Sequence, residues 1–297
     1  MFSPEPDDLK EQKAETSGER VFITIFTGII CGLFALEVFQ DVTPARLAMV
    51  WFFLAYFVLT ALHEIAHAVV ARLVGWAVVG LKVGIGPVIT RSIWLGVPVE
   101  WRLFPIVGLV EVLPKNLHAP RLKNAAIYAA GPGIELAIAA LLTAYLGWDI
   151  MLAPTDSYWV AGLQATALAA VFGAGFNLIP FSPQPGVVTD GLGICLSPFL
   201  TDDHFKRLMV QPVLDQGRHL LDIGDPKGAK ALFNDILVQF PTLLEAHMGL
   251  ARAQVDLGHG EFALMEFRNT VQALPDDEQD RGRMALQQLR EYIKTKQ

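Results

Sequence analysis

The chain has 297 residues, 53% of them apolar and only 18% charged, with a net charge of −7 and a mean hydropathy of +0.40. A soluble domain carries about 25% charged residues, so this composition excludes a wholly soluble globular protein and indicates a membrane protein with a soluble portion. The negative balance sits mostly at the two ends, and no cluster of lysine and arginine with interleaved aromatics offers a nucleic-acid surface.

Residues 1–20 form an acidic, polar tail. Four apolar stretches follow that are long enough to cross a bilayer at about 20 residues each: 21–39, 47–74, 125–148 and 158–181. The first comes after a polar tail, lacks a small-residue cleavage site and exceeds the apolar core of a signal peptide, so it reads as a retained anchor. The segment 75–121 holds Lys82, Arg91, Arg102, Lys115 and Arg121, whereas the loop 149–157 holds neither Lys nor Arg. The positive-inside rule then expects that segment and both termini in the cytoplasm, and the short loops fit a bacterial inner membrane. Cys31 and Cys195 lie in separate apolar segments and read as reduced core thiols rather than a disulfide.

The second stretch carries His63-Glu64-Ile65-Ala66-His67, an H-E-x-x-H pattern. On a helix, positions i and i+4 share a face, so both imidazoles can reach one Zn²⁺. Glu64, one residue round, then points at the open coordination position as a general base. Such a pattern also arises by chance, but three polar residues in hydrocarbon need a reason: ionisable groups there cost about 2.5 to 3.5 kcal/mol each on insertion scales.

Between the second and third stretches, the alternation at 97–104 and the Val, Ile and Gly-rich run 78–89 predict two short strands. Gly84, Gly86, Pro87 and the 105–108 stretch are expected to end or bend them, giving a small sheet or hairpin near the membrane surface. An open edge there suits either an extended substrate, added as a strand, or a simple structural hairpin.

A catalytic zinc usually has three protein ligands and leaves its fourth position to water. Two carboxyls are candidates for the third. Asp190 follows the last stretch in a segment where Pro180, Pro183 and Pro185 interrupt helix and free backbone groups, which implies a cavity. Glu135, in Gly131-Pro132-Gly133-Ile134-Glu135, lies within the third stretch.

These residues together resemble the site-2 protease family of intramembrane zinc metalloproteases, whose three core helices carry H-E-x-x-H on the first and N-x-x-P followed by D-G on the third. The matching residues are His63 to His67, Asn177-Leu178-Ile179-Pro180 and Asp190-Gly191. Residues 102–112 look like the family's proline- and glycine-containing segment, and Gly131-Pro132 like its G-P signature. The resemblance covers roughly residues 46–200. It implies His63, His67 and Asp190 as zinc ligands, Glu64 as base, and Asn177, Pro180, Gly191 and Glu135 as substrate-binding or supporting residues. Asn177 stands 13 residues before Asp190, farther than the compact family pattern, so the loop 181–188 must bulge if Asp190 is to reach the metal. Glu135 stands where many relatives place Asn.

From about Val210 the apolar runs shorten and charges return. Leu221-Asp222-Ile223-Gly224 recurs 34 residues later as Val255-Asp256-Leu257-Gly258. Ala229 and Ala263, Phe233 and Phe267, Leu237 and Val271, and Pro241 and Pro275 share that offset. The period and pattern resemble the tetratricopeptide repeat, with two antiparallel helices per unit, and residues 278–294 look like a capping helix. The isolated His118, His204, His219, His247 and His259 read as surface or packing residues.

The expected fold class is therefore mainly α: a polytopic helical membrane core of about four spans with a small β insertion, plus a soluble α-helical repeat domain. The expected boundaries are 1–20 tail, 21–200 metalloprotease and 208–297 repeats. The expected activity is Zn²⁺-dependent hydrolysis of a peptide bond in or near a transmembrane segment of a partner protein, with a cytoplasmic protein or peptide as a second partner on the repeats and lipid around the core. A catalytically silent scaffold that recruits a partner through the repeats is the alternative; a transporter is disfavoured by the lack of inverted repeats.

Overall fold

The computed structural model describes residues 41–183, 187–275 and 278–296. The expected tail 1–20 and anchor 21–39, with Cys31, lie outside the described residues, as does Pro185. The chain divides between Leu200 and Thr201 into two compact units.

Among its described residues, the first unit is built on three helices long and apolar enough to cross a membrane: α1 (Pro44–Leu73), α2 (Pro120–Leu146) and, after the short α3 (Trp148–Leu152), α4 (Tyr158–Leu178). Thr43 caps α1 with Pro44 at its first turn, and Ser157 caps α4 through Val160 N. α4 stops at Leu178, three residues short of the apolar stretch, because Pro180 cannot continue it. Each of the three helices packs on the other two. α4 offers small residues to this packing: Ala161, Ala165, Ala169, Ala170, Gly173 and Ala174 are all buried. In lipid no hydrophobic effect drives helices together, so close approach across small residues has to hold them.

Between α1 and α2 run β1 (Ala77–Trp94) and β2 (Val97–Leu113), an antiparallel pair much longer than the strands predicted at 78–89 and 97–104. The glycines and prolines bend the strands instead of ending them: Gly84 and Gly86 take positive φ of 97° and 84°, a region open to glycine. The bends fold each strand so that Leu81, Lys82 and Val83 pair on one side with Val110, Leu109 and Gly108 and on the other with Val99, Glu100 and Trp101. Leu81, Val83, Val97 and Val99 bury against Ala61 and Ile65 of α1. At the bend Tyr56 Oη donates to the Ile106 carbonyl (3.2 Å). The sheet thus runs beside the middle of α1, a helix long and apolar enough to cross a membrane. Irregular backbone within a bilayer is tolerated where it is covered by protein or lines a cavity.

After α4 the chain makes a loop and returns. Thr189 N donates to the Phe181 carbonyl (3.1 Å), Phe181 N to Thr189 Oγ1 (3.2 Å) and Thr189 Oγ1 to the Ile179 carbonyl (2.7 Å). These bonds close the bulge that the spacing required and start α5 (Asp190–Leu196) beside the end of α4. An ideal Cβ on Gly191 would lie 2.0 Å from the Leu178 carbonyl, so only glycine allows this return. α5 buries Asp190, Gly191 and Gly193 and turns Cys195 outward. That corrects the expectation of a core thiol at Cys195.

The second unit consists of α6 (Asp202–Asp222), α7 (Pro226–Gln239), α8 (Leu244–Asp256), α9 (Gly260–Gln272) and α10 (Gln279–Lys296). The 34-residue offset of the sequence reappears in the backbone. α6 and α8 end at Asp222 and Asp256, and Gly224 and Gly258 follow with φ of 81° and 86°. The closing bonds repeat as well: Gly224 N to Leu221 O and Asp225 N to Leu220 O, then Gly258 N to Val255 O and His259 N to Gln254 O. Ala229 and Ala263 are fully buried beside Phe233 and Phe267, each at the centre of its own apolar cluster.

Candidate metal centre

α1 turns one face of its H-E-x-x-H sequence inward, so that His63, Glu64 and His67 are 4%, 6% and 7% exposed. The return loop brings Asp190 (9% exposed) to the same place across 127 residues of chain. His63 Nε2 lies 2.9 Å from Asp190 Oδ2, and His67 Nε2 lies 3.4 Å from Asp190 Oδ1. One ligand atom from each of the three falls within 4.8 Å of the other two. Donors at zinc bond lengths in a tetrahedral site stand about 3.3 Å apart, so this set has the right separation as well as the right chemistry.

The third wall is Gly131 of α2. An ideal Cβ there would sit 2.3 Å from His63 Nε2 and 2.5 Å from His67 Nε2. The hollow that the missing side chain leaves is thus in reach of both ring nitrogens at nearly the length of a zinc–nitrogen bond, about 2.0–2.1 Å. Next to it, Pro132 sits inside α2 and has no N–H to give the Tyr128 carbonyl of the preceding turn. In that turn the Ile127 carbonyl lies 2.6 Å from His67 Nδ1. A carbonyl only accepts, so Nδ1 carries the proton and the free lone pair of His67 is on Nε2, facing the hollow.

Glu64 points to β2. An ideal Cβ on Gly108 would lie 2.3 Å from Glu64 Cγ and 2.7 Å from its Oε1, so glycine at 108 leaves the carboxylate its space. The base candidate therefore sits between the ligand cluster and the bent strand.

The remaining site expectations are placed as follows. Glu135, 2% exposed, does not join the converging atoms: its Oε2 is 3.1 Å from Nδ1 of His63, on the far side of that ring from the hollow. Asn177 Nδ2 donates to the Gly173 carbonyl of its own helix (3.1 Å), Pro180 follows the end of α4, and Gly191 permits the return described above. The spacing of the motif did not reveal Gly131 as the wall of the hollow or Gly108 as the neighbour of Glu64. A glycine within a span and a glycine within a strand were the available signals, since both mark close backbone or side-chain approach.

Residues 51–256 match the sequence profile of peptidase family M50. A protein of Ralstonia nicotianae named a "putative zinc metalloprotease" is 35% identical over 124 residues, which cover 34% of this chain and 27% of that protein. The matched part is thus about a quarter of the relative's length.

Proposed function

This chain belongs to peptidase family M50, a family of membrane-embedded zinc metalloproteases, and from that premise we propose that it is an intramembrane endopeptidase of the site-2 type. In this reading it cleaves a transmembrane or membrane-proximal segment of a partner protein. The observation that carries it is the convergence of His63, His67 and Asp190 on the hollow at Gly131, with Glu64 on the adjoining turn face.

His63, His67 and Asp190 would hold the ion. Zinc, when bound, supplies a Lewis acid and acidifies a water molecule. Glu64 takes a proton from the attacking water as its oxygen adds to the scissile carbonyl, then delivers that proton to the leaving amine as the C–N bond breaks. The substrate must be extended at the cut, because a helical amide has both backbone groups engaged. The bent strand beside Glu64 offers backbone pairing to such a segment. Lys and Arg across 75–121 favour the cytoplasmic side for the site, and both termini with it. The 34-residue repeat of the second unit supports a tetratricopeptide-like module that docks a cytoplasmic peptide or protein.

Elemental analysis of the detergent-purified full chain, with cleavage of a transmembrane reporter, tests the reading. Wild type should carry about one zinc per chain, Asp190→Ala should lose it, and Glu64→Gln should keep zinc while cleaving about 10²- to 10⁴-fold more slowly. A folded wild-type protein without zinc, or a Glu64→Gln variant with undiminished cleavage, overturns it and favours the scaffold alternative.

A further inference from the structure

His63 Nδ1 and Glu135 Oε2 are among the fully buried side-chain atoms of the first unit without a well-aligned hydrogen-bond partner. They face each other across 3.1 Å. Buried polar atoms are nearly always satisfied, and a carboxylate inside a membrane bundle is among the most costly groups to leave unmatched. Among the described residues, the ion-pair contact of Glu135 is with His63. The carboxylate is also confined. α4 closes on it at Gly173, where an ideal Cβ would lie 2.6 Å from Glu135 Oε1.

The arrangement on α2 has a simple logic. Ile127, Gly131 and Glu135 stand at i, i+4 and i+8, on one face of the helix. Gly131 supplies the hollow, the Ile127 carbonyl lies at Nδ1 of His67, and Glu135 lies at Nδ1 of His63. The first acceptor is a backbone carbonyl in the turn before Pro132. At the second ring the group on this face is a side chain, the Glu135 carboxylate.

We propose that Glu135 is the positioning residue of His63: Nδ1–H donates a hydrogen bond to its carboxylate, which so holds the ring with the Nε2 lone pair directed into the hollow. This rests on the zinc-peptidase reading and adds to it the reason for a buried carboxyl that is not a ligand. Oxygen acceptors behind ligating imidazoles fix their tautomer and raise their basicity.

The test uses the full chain in detergent, with zinc affinity measured by chelator competition for wild type, Asp190→Ala, Glu135→Met and Glu135→Gln. Methionine fills the same space without a strong acceptor; glutamine keeps a carbonyl oxygen. Glu135→Met should bind zinc about 10- to 100-fold more weakly while still reaching wild-type stoichiometry at saturation, and Glu135→Gln should recover most of that loss. Wild-type affinity in a folded Glu135→Met variant overturns the proposal. A loss of stoichiometry in Glu135→Gln as complete as in Asp190→Ala also overturns it, by making Glu135 a ligand. If Glu135→Met does not fold, the cobalt-loaded Glu135→Gln protein decides. An amide in place of the carboxylate should shift the cobalt d–d bands, and a spectrum identical to wild type overturns the proposal. Zinc bound by wild type with these variants unaffected removes only the positioning role, whereas a wild type that binds no zinc removes the peptidase reading with it.

Discussion

The two units of this chain solve the packing problem in opposite ways. In the first, the fully buried apolar residues include Ala71, Ala169, Ala170 and Ala174, while polar groups such as His63, Glu64, His67, Glu135 and Asp190 lie inside and large apolar side chains such as Val58, Phe53 and Leu141 lie outside. In the second, the interior holds Phe205, Leu214, Phe233, Phe267 and Leu289. Lipid is as apolar as leucine, so a membrane bundle gains little by hiding large side chains and can reserve its inside for small contacts and chemistry. Water rewards hiding them, at about 25 cal/mol per Å² of apolar surface. Substitutions that invert the two strategies should have different consequences.

The largest effect is expected at Gly131. In Gly131→Val the new side chain occupies the hollow that His63 and His67 face. The purified protein should lose essentially all its zinc while keeping its helical circular dichroism, as elemental analysis beside the spectrum would report. Zinc retained at wild-type level would mean that the hollow is not the metal's place.

Next come the paired packing tests. Phe233→Ala removes a 1%-exposed ring set against Gly217 and Gly249, and should destabilise the second unit by about 3–5 kcal/mol. Hydrogen exchange of α7 and α8 amides in the full chain measures it. In the bundle the harmful direction is reversed: Ala170→Leu should cost about 1–3 kcal/mol by overpacking, read as a lower melting temperature in detergent. If Ala170→Leu leaves the melting temperature unchanged, the close approach across small residues is not what holds the helices.

What the sequence made legible follows from range. The H-E-x-x-H spacing acts within one helical turn, and the 34-residue period is a repetition of local signals, so both could be read directly. Asp190 could be read only as one of two candidate carboxyls until the resemblance favoured it, because no local rule brings it across 127 residues to His63; that meeting depends on the Thr189 bonds and on Gly191 at the return. Strand lengths were underestimated because glycine and proline mark a bend and an end alike, and only the double pairing of 81–83 distinguishes the two. The apolar stretches gave the three helices with errors of a few residues at their ends, where proline and caps decide. Glu135 was visible as an intramembrane carboxyl, but whether it is a ligand or stands behind one depends on which side of the His63 ring it occupies, a fact of packing between helices.

The repeat itself can be tested by symmetry. Gly224 and Gly258 hold the same left-handed backbone after α6 and α8, with open space where a Cβ would project. Gly224→Ala and Gly258→Ala should therefore each cost about 1–2 kcal/mol from backbone strain alone. Equal effects in denaturant unfolding support two equivalent repeats. A cost confined to one position would show that the 34-residue likeness is one of sequence more than of mechanical role.

The smallest effect belongs to the end of α10, where the second unit relies on polar contacts as well as apolar ones. Tyr292 Oη lies 2.9 Å from both carboxylate oxygens of Asp256, and Lys296 Nζ is 2.8 Å from Asp256 Oδ1. Burial and then the hydrogen bond to Asp256 raise the Tyr292 phenol above its ordinary 10.0, and the hydrogen bond to Asp256 raises Lys296 above 10.5. Both groups are favoured in their protonated forms by folding. Their contribution is therefore complete below pH 10.0 and is lost as pH rises through the raised values. In denaturant unfolding of the full chain, this contribution should stay constant up to that pH and decline beyond it. Tyr292→Phe should lower the plateau by about 1 kcal/mol and flatten the alkaline decline. An unchanged decline in Tyr292→Phe would assign it to Lys296 and leave the tyrosine as packing against α8.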